Sequence, residues 1–384
     1  MTSSPTSLLP AGSEADLPIP FTDLSIQWRQ IEGKALPDIH RLFQNGAFSL
    51  GPFVAQFEQA AADYLGIAHA IGVNSGTSAL HLALIAAGIG PGDKVLVPSH
   101  TFVATAWGVL YVGATPVLCD IEEDSANIDV ADAEERLDAA VKAIIPVHLY
   151  GQPADMAGVM AFAARHRLVV IEDAAQAIGA RFDGRCVGTF GLCGCYSFYP
   201  AKNLGAAGEA GLVVTADEAI ARRLFALRHH AQSERYVHTE LGFNYRMEGI
   251  QGLILGHKLP LLDSWTDSRR KLAQAYHERL AGLPLTLPQV VHDDHVFHLY
   301  VVRSKDRDRL RDYMRRAGIE TGLHYPVPLH AQPALARFVA DAQSFPVADR
   351  YARECLSLPL FVGMTEVQVE RVCEAIRQFF GSSS

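Results

Sequence analysis

Short apolar runs alternate with longer helix-like segments between residues 68 and 215 of this 384-residue chain. The apolar runs predict strands, and the segments between them predict helices. The predicted strands cover 68–73, 94–98, 116–121, 143–149, 168–172, 193–199 and 212–215, and the predicted helices cover 77–87, 102–112 and 156–166. Alternation of this kind is typical of right-handed βαβ units around a mostly parallel sheet.

The pattern changes near Pro260, because charged residues become dense from Asp263 onward. A helix is predicted over 265–280, strands over 296–302 and 320–324, and a final helix over 367–380. We expect a mobile tail over 1–18, a large ligand-binding domain over 19–260 and a smaller α/β domain over 261–384.

Two long stretches, 64–92 and 95–119, contain no Asp, Glu, Lys or Arg. Length alone would allow a membrane span. Both stretches are interrupted by polar or turn-forming residues, and strand-like and helix-like pieces alternate within them. Because parallel strands between helices are buried on both faces, we expect a sheet here and no membrane association.

The formal net charge of −9 at pH 7 narrows the range of partners. An acidic surface argues against nucleic acid, whereas a few local groups suffice to bind a small phosphorylated ligand. The first 28 residues contain no Lys or Arg, so neither a secretory signal nor a transit peptide is predicted. Six scattered cysteines fit small buried residues in a reducing cytoplasm, where we expect the protein.

Small residues join a predicted strand to an apolar helix at 72–79, Gly-Val-Asn-Ser-Gly-Thr-Ser-Ala. Free N–H groups and the helix dipole make such a helix start an anion site. Gly76, Thr77 and Ser78 are therefore candidates to bind a phosphate. An ordinary N-capped helix explains the same residues, and the segment is neither a Walker loop nor the dinucleotide fingerprint.

Asp173 follows an apolar strand and so lies at a carboxyl end, where ligands of open α/β sheets bind. A carboxylate in such a dry place needs a cationic partner. A protonated pyridine nitrogen would meet that need, and Gln176 could reach a phenolic oxygen beside it. The alternative is that Asp173 caps the next helix.

Lys202 lies in the uncharged segment 197–205, between an apolar strand and a glycine-rich stretch. A lysine in such surroundings can have a lowered pKa and act as an amine nucleophile. An exposed structural lysine is the commoner case in proteins generally. Ser197, at the start of the same segment, could help to bind a phosphate.

These segments together resemble the nucleotide-sugar aminotransferases of the DegT/StrS group, within the fold-type-I pyridoxal-phosphate enzymes. The resemblance runs from about residue 19 to 380 and rests on seven motifs in one order. They are Leu-Gly-Pro-Phe-Val at 50–54, Asn-Ser-Gly-Thr-Ser-Ala-Leu at 74–80, Pro-Ser-His-Thr-Phe-Val-Ala-Thr at 98–105, Pro-Val-His-Leu-Tyr-Gly at 146–151, Glu-Asp-Ala-Ala-Gln at 172–176, Ser-Phe-Tyr-Pro-Ala-Lys-Asn-Leu-Gly at 197–205 and Gly-Phe-Asn-Tyr-Arg-Met at 242–247.

The resemblance implies a large, mostly parallel seven-stranded sheet flanked by helices, with a smaller C-terminal α/β domain. It also implies that Lys202 is the catalytic residue that carries pyridoxal 5'-phosphate, that Asp173 pairs with the pyridine nitrogen and that Gln176 contacts the ring oxygen. The other implied cofactor contacts are Gly76, Thr77, Ser197, Phe102 on the ring face and, from the second subunit of a homodimer with shared active sites, Asn244. Core packing is the alternative role for Phe102.

The sugar site is less distinct. The resemblance places the proline-stiffened loop 322–330 near the sugar, and the candidates are His324, Tyr325, His330, His298, Arg228, His229 and Tyr236. A solvated surface position is the alternative for each. The run 292–298 contains three His and two Asp, but a polar turn entering a strand explains it better than a metal site, and no metal is expected.

The function that the resemblance favours is transfer of an amino group from glutamate (or glutamine) to a nucleotide-linked keto-sugar. The pattern is most similar to enzymes that act at C3 of a dTDP-3-keto-6-deoxyhexose. The alternatives are a C4 aminotransferase of a nucleotide 4-keto-sugar, an aminotransferase of a free keto-cyclitol, and a non-enzymatic regulator that binds pyridoxal phosphate. The presence of Lys202, Asp173 and Gln176 together disfavours the regulator.

Overall fold

The computed structural model describes residues 17–291, 294–338 and 343–382. Residues 1–16 of the predicted tail lie outside this part of the chain. The helices are α1 (Ser25–Gln44), α2 (Pro52–Leu65), α3 (Gly76–Ala86), α4 (Ala104–Tyr111), α5 (Val130–Glu135), α6 (Met156–His166), α7 (Glu218–Leu227), α8 (Gly249–Lys258), α9 (Leu262–Leu280), α10 (Arg307–Arg316), α11 (Pro346–Glu354) and α12 (Glu366–Gly381). The strands are β1 (His69–Val73), β2 (Lys94–Pro98), β3 (Thr115–Cys119), β4 (Val141–Ile144), β5 (Val169–Asp173), β6 (Arg181–Phe182), β7 (Arg185–Cys186), β8 (Cys193–Ser197), β9 (Gly211–Thr215), β10 (Gln232–Glu234), β11 (Val237–His238), β12 (Tyr300–Arg303) and β13 (Cys355–Leu358).

The main sheet has seven strands in the order β1-β9-β8-β5-β4-β2-β3. Strands β8, β5, β4, β2 and β3 pair in parallel, and β9 is antiparallel to both β8 and β1. The predicted mostly parallel, seven-stranded sheet is therefore confirmed. Because β1, β5 and β8 run in one direction, their carboxyl ends meet at one edge of the sheet.

Helices cover both faces of the main sheet. Successive strand residues alternate between two apolar clusters, so that Val170 packs with Phe57 and Phe162 whereas Ile171 packs with Leu80 and Val109. Burial on both faces explains the long uncharged stretches of sequence. Within the described residues, no helix is both long enough and apolar enough to cross a membrane.

Strands β12 and β13 form a separate antiparallel pair that packs against α9, α10 and α12. Its apolar cluster contains Tyr276, Tyr300, Leu310 and Ile376. The division of the chain near residue 260 stays a prediction, which this second cluster supports.

The prediction of a strand over 320–324 is wrong. This segment makes only an isolated bridge, in which Gly322 and Ser357 exchange backbone hydrogen bonds of 3.0 and 2.9 Å. Pro326 and Pro328 follow, and they have no N–H with which to extend a ladder. The strand predicted over 296–302 begins only at Tyr300.

Candidate active site

A cavity of about 540 Å³ lies where the carboxyl ends of β1, β5 and β8 meet. Cavities of this size hold small ligands and cofactors. The structure brings into its lining these residues from the sequence prediction: Gly76, Thr77, Phe102, Asp173, Gln176, Ser197, Lys202, His298, His324 and Tyr325.

Helix α3 starts at one wall of the cavity. The Ser75 side chain caps it by accepting a 3.1 Å hydrogen bond from the N–H of Ser78. A Cβ added to Gly76 would come within 2.8 Å of the Cβ of Ser197, so only glycine fits where α3 approaches the end of β8. The close approach leaves the first-turn N–H groups beside the Ser197 hydroxyl, which is suitable chemistry for an anion.

Asp173 is the last residue of β5 and is only 5% exposed. Its Oδ2 accepts a 2.8 Å hydrogen bond from the Thr105 hydroxyl, and its Oδ1 accepts a 3.1 Å bond from the N–H of Ala175. Burial raises the pKa of Asp173, and these two bonds and the nearby Lys202 partly oppose that rise. The segment after Asp173 forms turns, so the carboxylate does not cap a helix.

The amide of Gln176 has a defined orientation. Its Oε1 accepts a 2.7 Å hydrogen bond from the N–H of Tyr150, so Nε2 is the donating end, and it donates a 3.0 Å bond to the Tyr325 hydroxyl. The Tyr325 hydroxyl keeps its own proton for donation to a ligand. Burial raises the pKa of Tyr325, so this proton is retained at neutral pH.

Lys202 lies in the turn that follows β8, and its side chain reaches the cavity. Burial lowers the pKa of Lys202 to about 8, and the negative charge of Asp173 opposes that shift. The turn is tight, because a Cβ at Gly205 would collide with the carbonyl of Pro200. A larger fraction of Lys202 than of an exposed lysine is therefore an uncharged, nucleophilic amine near neutral pH.

Two histidines of the lining are held by side chains. Asn203 donates to the Val296 carbonyl, which leaves its Oδ1 to accept a 3.2 Å bond from Nδ1 of His298. Nδ1 of His324 lies 2.8 Å from the Ser357 hydroxyl. Burial lowers the pKa of both histidines, to about 4 for His324, so both are neutral at pH 7.

Phe102 is 52% exposed and lies at the cavity surface, not in the core. Its ring centroid is 5.6 Å from that of Tyr325, with the ring planes tilted by 41°. The two aromatic rings therefore form one apolar patch in the cavity lining, against which a flat ligand ring could pack.

Arg228 and His330 are not brought to the cavity of this chain. The Arg228 guanidinium is buried, and it donates to Glu58 and to the carbonyl of Gly72. Nε2 of His330 lies 3.0 Å from Asp349, and its ring stacks on Phe345. Both side chains have structural partners that a sequence pattern does not display.

His229, Tyr236 and Asn244 also lie outside the lining of this chain's cavity. Nδ1 of His229 accepts a 2.8 Å hydrogen bond from Arg246. Tyr236, between β10 and β11, is 78% exposed. Asn244 forms an isolated backbone bridge with His229. The structure of one chain therefore does not bring these three side chains to its cavity, and their contacts with ligand stay a prediction.

The lining includes residues that the sequence did not single out: Phe21, Thr22, Thr101, Tyr199, Glu209, Arg269, Leu358 and Leu360. For one of them, Arg269, the sequence contains a pattern that could have identified it. The buried positions of α9 include Trp265, Leu272, Ala273 and Tyr276, and Arg269 occupies the same helical stripe. A charged residue at a core position usually has a specific partner or function.

The described residues contain no group of three or more His, Cys, Asp or Glu side chains arranged to hold a metal ion.

The sheet, the helix start at Gly76 and the placement of Lys202 and Asp173 define a transferase of fold type I. A family model matches residues 29–377, and the chain belongs to the DegT/DnrJ/EryC1/StrS aminotransferase family. It is therefore a sugar aminotransferase.

Known relatives match almost end to end. The chain is 44% identical over 362 residues to a UDP-N-acetyl-3-dehydro-alpha-D-glucosamine 3-aminotransferase of Acidithiobacillus ferrooxidans, with 94% of this chain and 97% of the relative covered. It is 43% identical over 370 residues to dTDP-3-amino-3,4,6-trideoxy-alpha-D-glucose transaminase of Streptomyces venezuelae, covering 96% and 98%. The solved structure of NtdA from Bacillus subtilis, with bound pyridoxamine phosphate, is 30% identical with a TM-score of 0.90, covering 95% of this chain and 85% of that one.

Proposed function

We propose that the protein is a pyridoxal-phosphate-dependent aminotransferase that moves an amino group from glutamate (or glutamine) to C3 of a dTDP-linked 3-keto-6-deoxyhexose. The observation that carries this proposal is the placement of Lys202, with its lowered pKa, in one cavity with the buried carboxylate of Asp173.

The cavity residues fit pyridoxal phosphate at each of its polar groups. The missing Cβ at Gly76 leaves room between α3 and Ser197 for a phosphate, which Thr77 could also bind. Asp173 is a buried carboxylate that a protonated pyridine nitrogen would neutralise. Nε2 of Gln176 has a second hydrogen, besides the one donated to Tyr325, for the ring oxygen, and Phe102 is available for the ring face.

The bound cofactor would supply an electron sink that makes the α-proton of the amino donor removable. Nζ of Lys202 is the base for that proton, because it is partly uncharged at neutral pH. In the second half of the cycle, the same Nζ delivers a proton to C3 of the sugar. Asp173, fixed by Thr105 and Ala175, maintains negative charge at the bottom of the cavity throughout.

The names of the two curated relatives support C3 as the position of amination, since one is a 3-aminotransferase and the other a dTDP-3-amino-sugar transaminase. The two names differ in the nucleotide that carries the sugar, which is UDP in one and dTDP in the other.

The test is an assay of 3-keto and 4-keto sugars side by side, each linked to dTDP and to UDP. Amination only at C4 would reject the proposed position. A free keto-cyclitol enzyme would be insensitive to competition by dTDP or UDP.

We also propose a homodimer in which each subunit contributes to its partner's cavity. Tyr236 and Leu241 support this proposal, because these large side chains are 78% and 89% exposed on one segment, near Asn244. Sedimentation analysis should give twice the chain mass. Asn244→Ala should weaken cofactor binding without affecting the mass, whereas a monomer with full activity would contradict shared sites.

The cofactor and the donor are tested first by absorption spectroscopy. The purified protein mixed with pyridoxal phosphate should develop the visible band of a lysine-bound cofactor, and glutamate should abolish that band. A band that does not respond to glutamate would point to another donor, a dehydration reaction or a non-catalytic binder. The absence of any band would reject the cofactor.

A further inference from the structure

Arg269 is a buried cation in the wall of the cavity. It lies on α9, is 4% exposed and contacts the same cavity as Lys202 and Asp173. It is the only arginine in the cavity lining that the described residues provide.

One side of the Arg269 guanidinium has a structural role. Its Nη1 donates to the carbonyls of Phe297, His298 and Leu360 at 3.1, 3.4 and 3.0 Å. Its Nε is buried and has no hydrogen-bond partner among the described residues, which also provide no hydrogen bond to its Nη2. Because Nε is enclosed by protein, Nη2 is the nitrogen of this group that is left for a ligand.

No described Asp or Glu forms an ion pair with Arg269. Other buried arginines of this chain differ in that respect, since Arg303 pairs with Glu123 and Arg307 with Asp308. Burial lowers the pKa of Arg269 only to about 10, so the group stays charged at neutral pH. A buried charge without a counter-charge is costly, and a ligand that brings an anion removes that cost.

We propose that Arg269 binds a carboxylate of the amino-acid donor through its Nη2. The inference rests on the proposed function and adds to it the residue that selects the donor. A hydrogen bond between a guanidinium and a carboxylate is charge-assisted, and such bonds are among the strong hydrogen bonds of proteins.

The depth of Arg269 favours the donor over the nucleotide as the source of the anion. His298, Lys202 and Arg269 line the same cavity, and Nη1 of Arg269 donates to the His298 carbonyl at 3.4 Å. Burial is the main cause that lowers the pKa of His298, and the charges of Lys202 and Arg269 lower it further. The donor carboxylate is one bond from the carbon that loses its proton, so it must lie close to Lys202. A nucleotide diphosphate is separated from the reacting carbon by part of the sugar ring and lies nearer the cavity mouth.

The test measures binding of glutarate, a dicarboxylate with no amino group, by calorimetry on cofactor-loaded protein. In Arg269→Lys and Arg269→Gln the affinity for glutarate should fall roughly 10- to 100-fold, while the affinity for dTDP is unchanged. Arg269→Gln retains an amide donor for the carbonyls. Wild-type protein should bind glutarate at least about tenfold more tightly than its neutral diamide.

Arg307→Lys is the matched control. Arg307 is also buried, and its Nη1 donates to the carbonyls of Ala352 and Cys355 outside the cavity. The Arg307→Lys variant should lose about as much thermal stability as Arg269→Lys and should keep its affinity for glutarate.

If the Arg269 variants lose affinity for dTDP and keep their affinity for glutarate, the anion belongs to the nucleotide and the proposal is overturned. The proposal is also overturned if the Arg269 variants lose affinity equally for glutarate and dTDP, or lose affinity for neither. It is overturned as well if the wild type binds glutarate and its neutral diamide equally tightly. If the wild type forms no lysine-bound cofactor band, the proposed function itself has failed.

Discussion

The Thr105 hydroxyl donates a 2.8 Å hydrogen bond to Oδ2 of Asp173, and this bond connects the first turn of α4 to the carboxyl end of β5. Both residues are buried. Because burial raises the pKa of Asp173 and this bond opposes the rise, Thr105 helps to keep the carboxylate ionised. Thr105 is therefore a positioning residue in our proposal.

Thr105→Val removes this bond with little change in volume. We expect cofactor affinity to fall about tenfold, because hydrogen bonds to charged groups contribute about 1.5–3 kcal/mol. Thr215→Val is the control. The Thr215 hydroxyl donates a 2.7 Å hydrogen bond to the Leu192 carbonyl, and this bond lies outside the cavity. Titration of the cofactor absorbance measures both variants. Equal affinities in the two would contradict the role of Thr105.

Lys202→Ala should abolish the visible band of the lysine-bound cofactor and lower turnover by at least about 10³-fold. Removing a partly buried cation should not prevent folding, so circular dichroism and melting temperature should stay close to wild type. Turnover near the wild-type level would refute the central role of Lys202.

The pH dependence of cofactor attachment reports on the same lysine. The uncharged amine attacks the cofactor, so the rate of band formation should rise with pH around a midpoint near the Lys202 pKa of about 8. The negative charge of Asp173 raises that pKa, so Asp173→Asn should move the midpoint to lower pH. A midpoint that does not move would show that the two groups are not coupled.

Asp173→Asn should also separate stability from function. The folded-state pKa of Asp173 is raised, so the ionised group destabilises the cofactor-free fold above its ordinary pKa, and this cost disappears as pH falls below that value. The cofactor-free variant should therefore melt above wild type at pH 7 and lose this advantage at about pH 3. The cofactor should stabilise the variant less than it stabilises wild type, and equal stabilisation would argue against a pyridine contact.

Gly76→Ala should narrow the predicted phosphate site, because the new Cβ would come within 2.8 Å of the Cβ of Ser197. We expect at least a tenfold loss of cofactor affinity, from lost phosphate hydrogen bonds of about 1.5–3 kcal/mol. Gly33→Ala in α1 is the control, since its Cβ would meet nothing within 4 Å and should stabilise the helix by about 1 kcal/mol. Inorganic phosphate binding to the cofactor-free protein, measured by calorimetry, should be weakened only in Gly76→Ala.

The sequence by itself determined the elements that position the cavity. Apolar runs ended close to Val73, Asp173 and Ser197, and parallel strands place such ends at one edge. The motif around Lys202 singled out that residue because charge is otherwise absent there. These signals are local in sequence. They predict the strands correctly because burial on both faces of the sheet requires the same apolar pattern of each strand.

Only the tertiary structure decided which arginine belongs to the cavity. Arg228 lies in the stretch before the motif at 242–247, yet its guanidinium pairs with Glu58, 170 positions away in sequence. Arg269 lies in a charge-rich helix outside every motif, yet it faces the cavity. The partner of a long flexible cation depends on how helices pack across the sheet, and no short-range pattern of hydrophobic and polar residues records that packing.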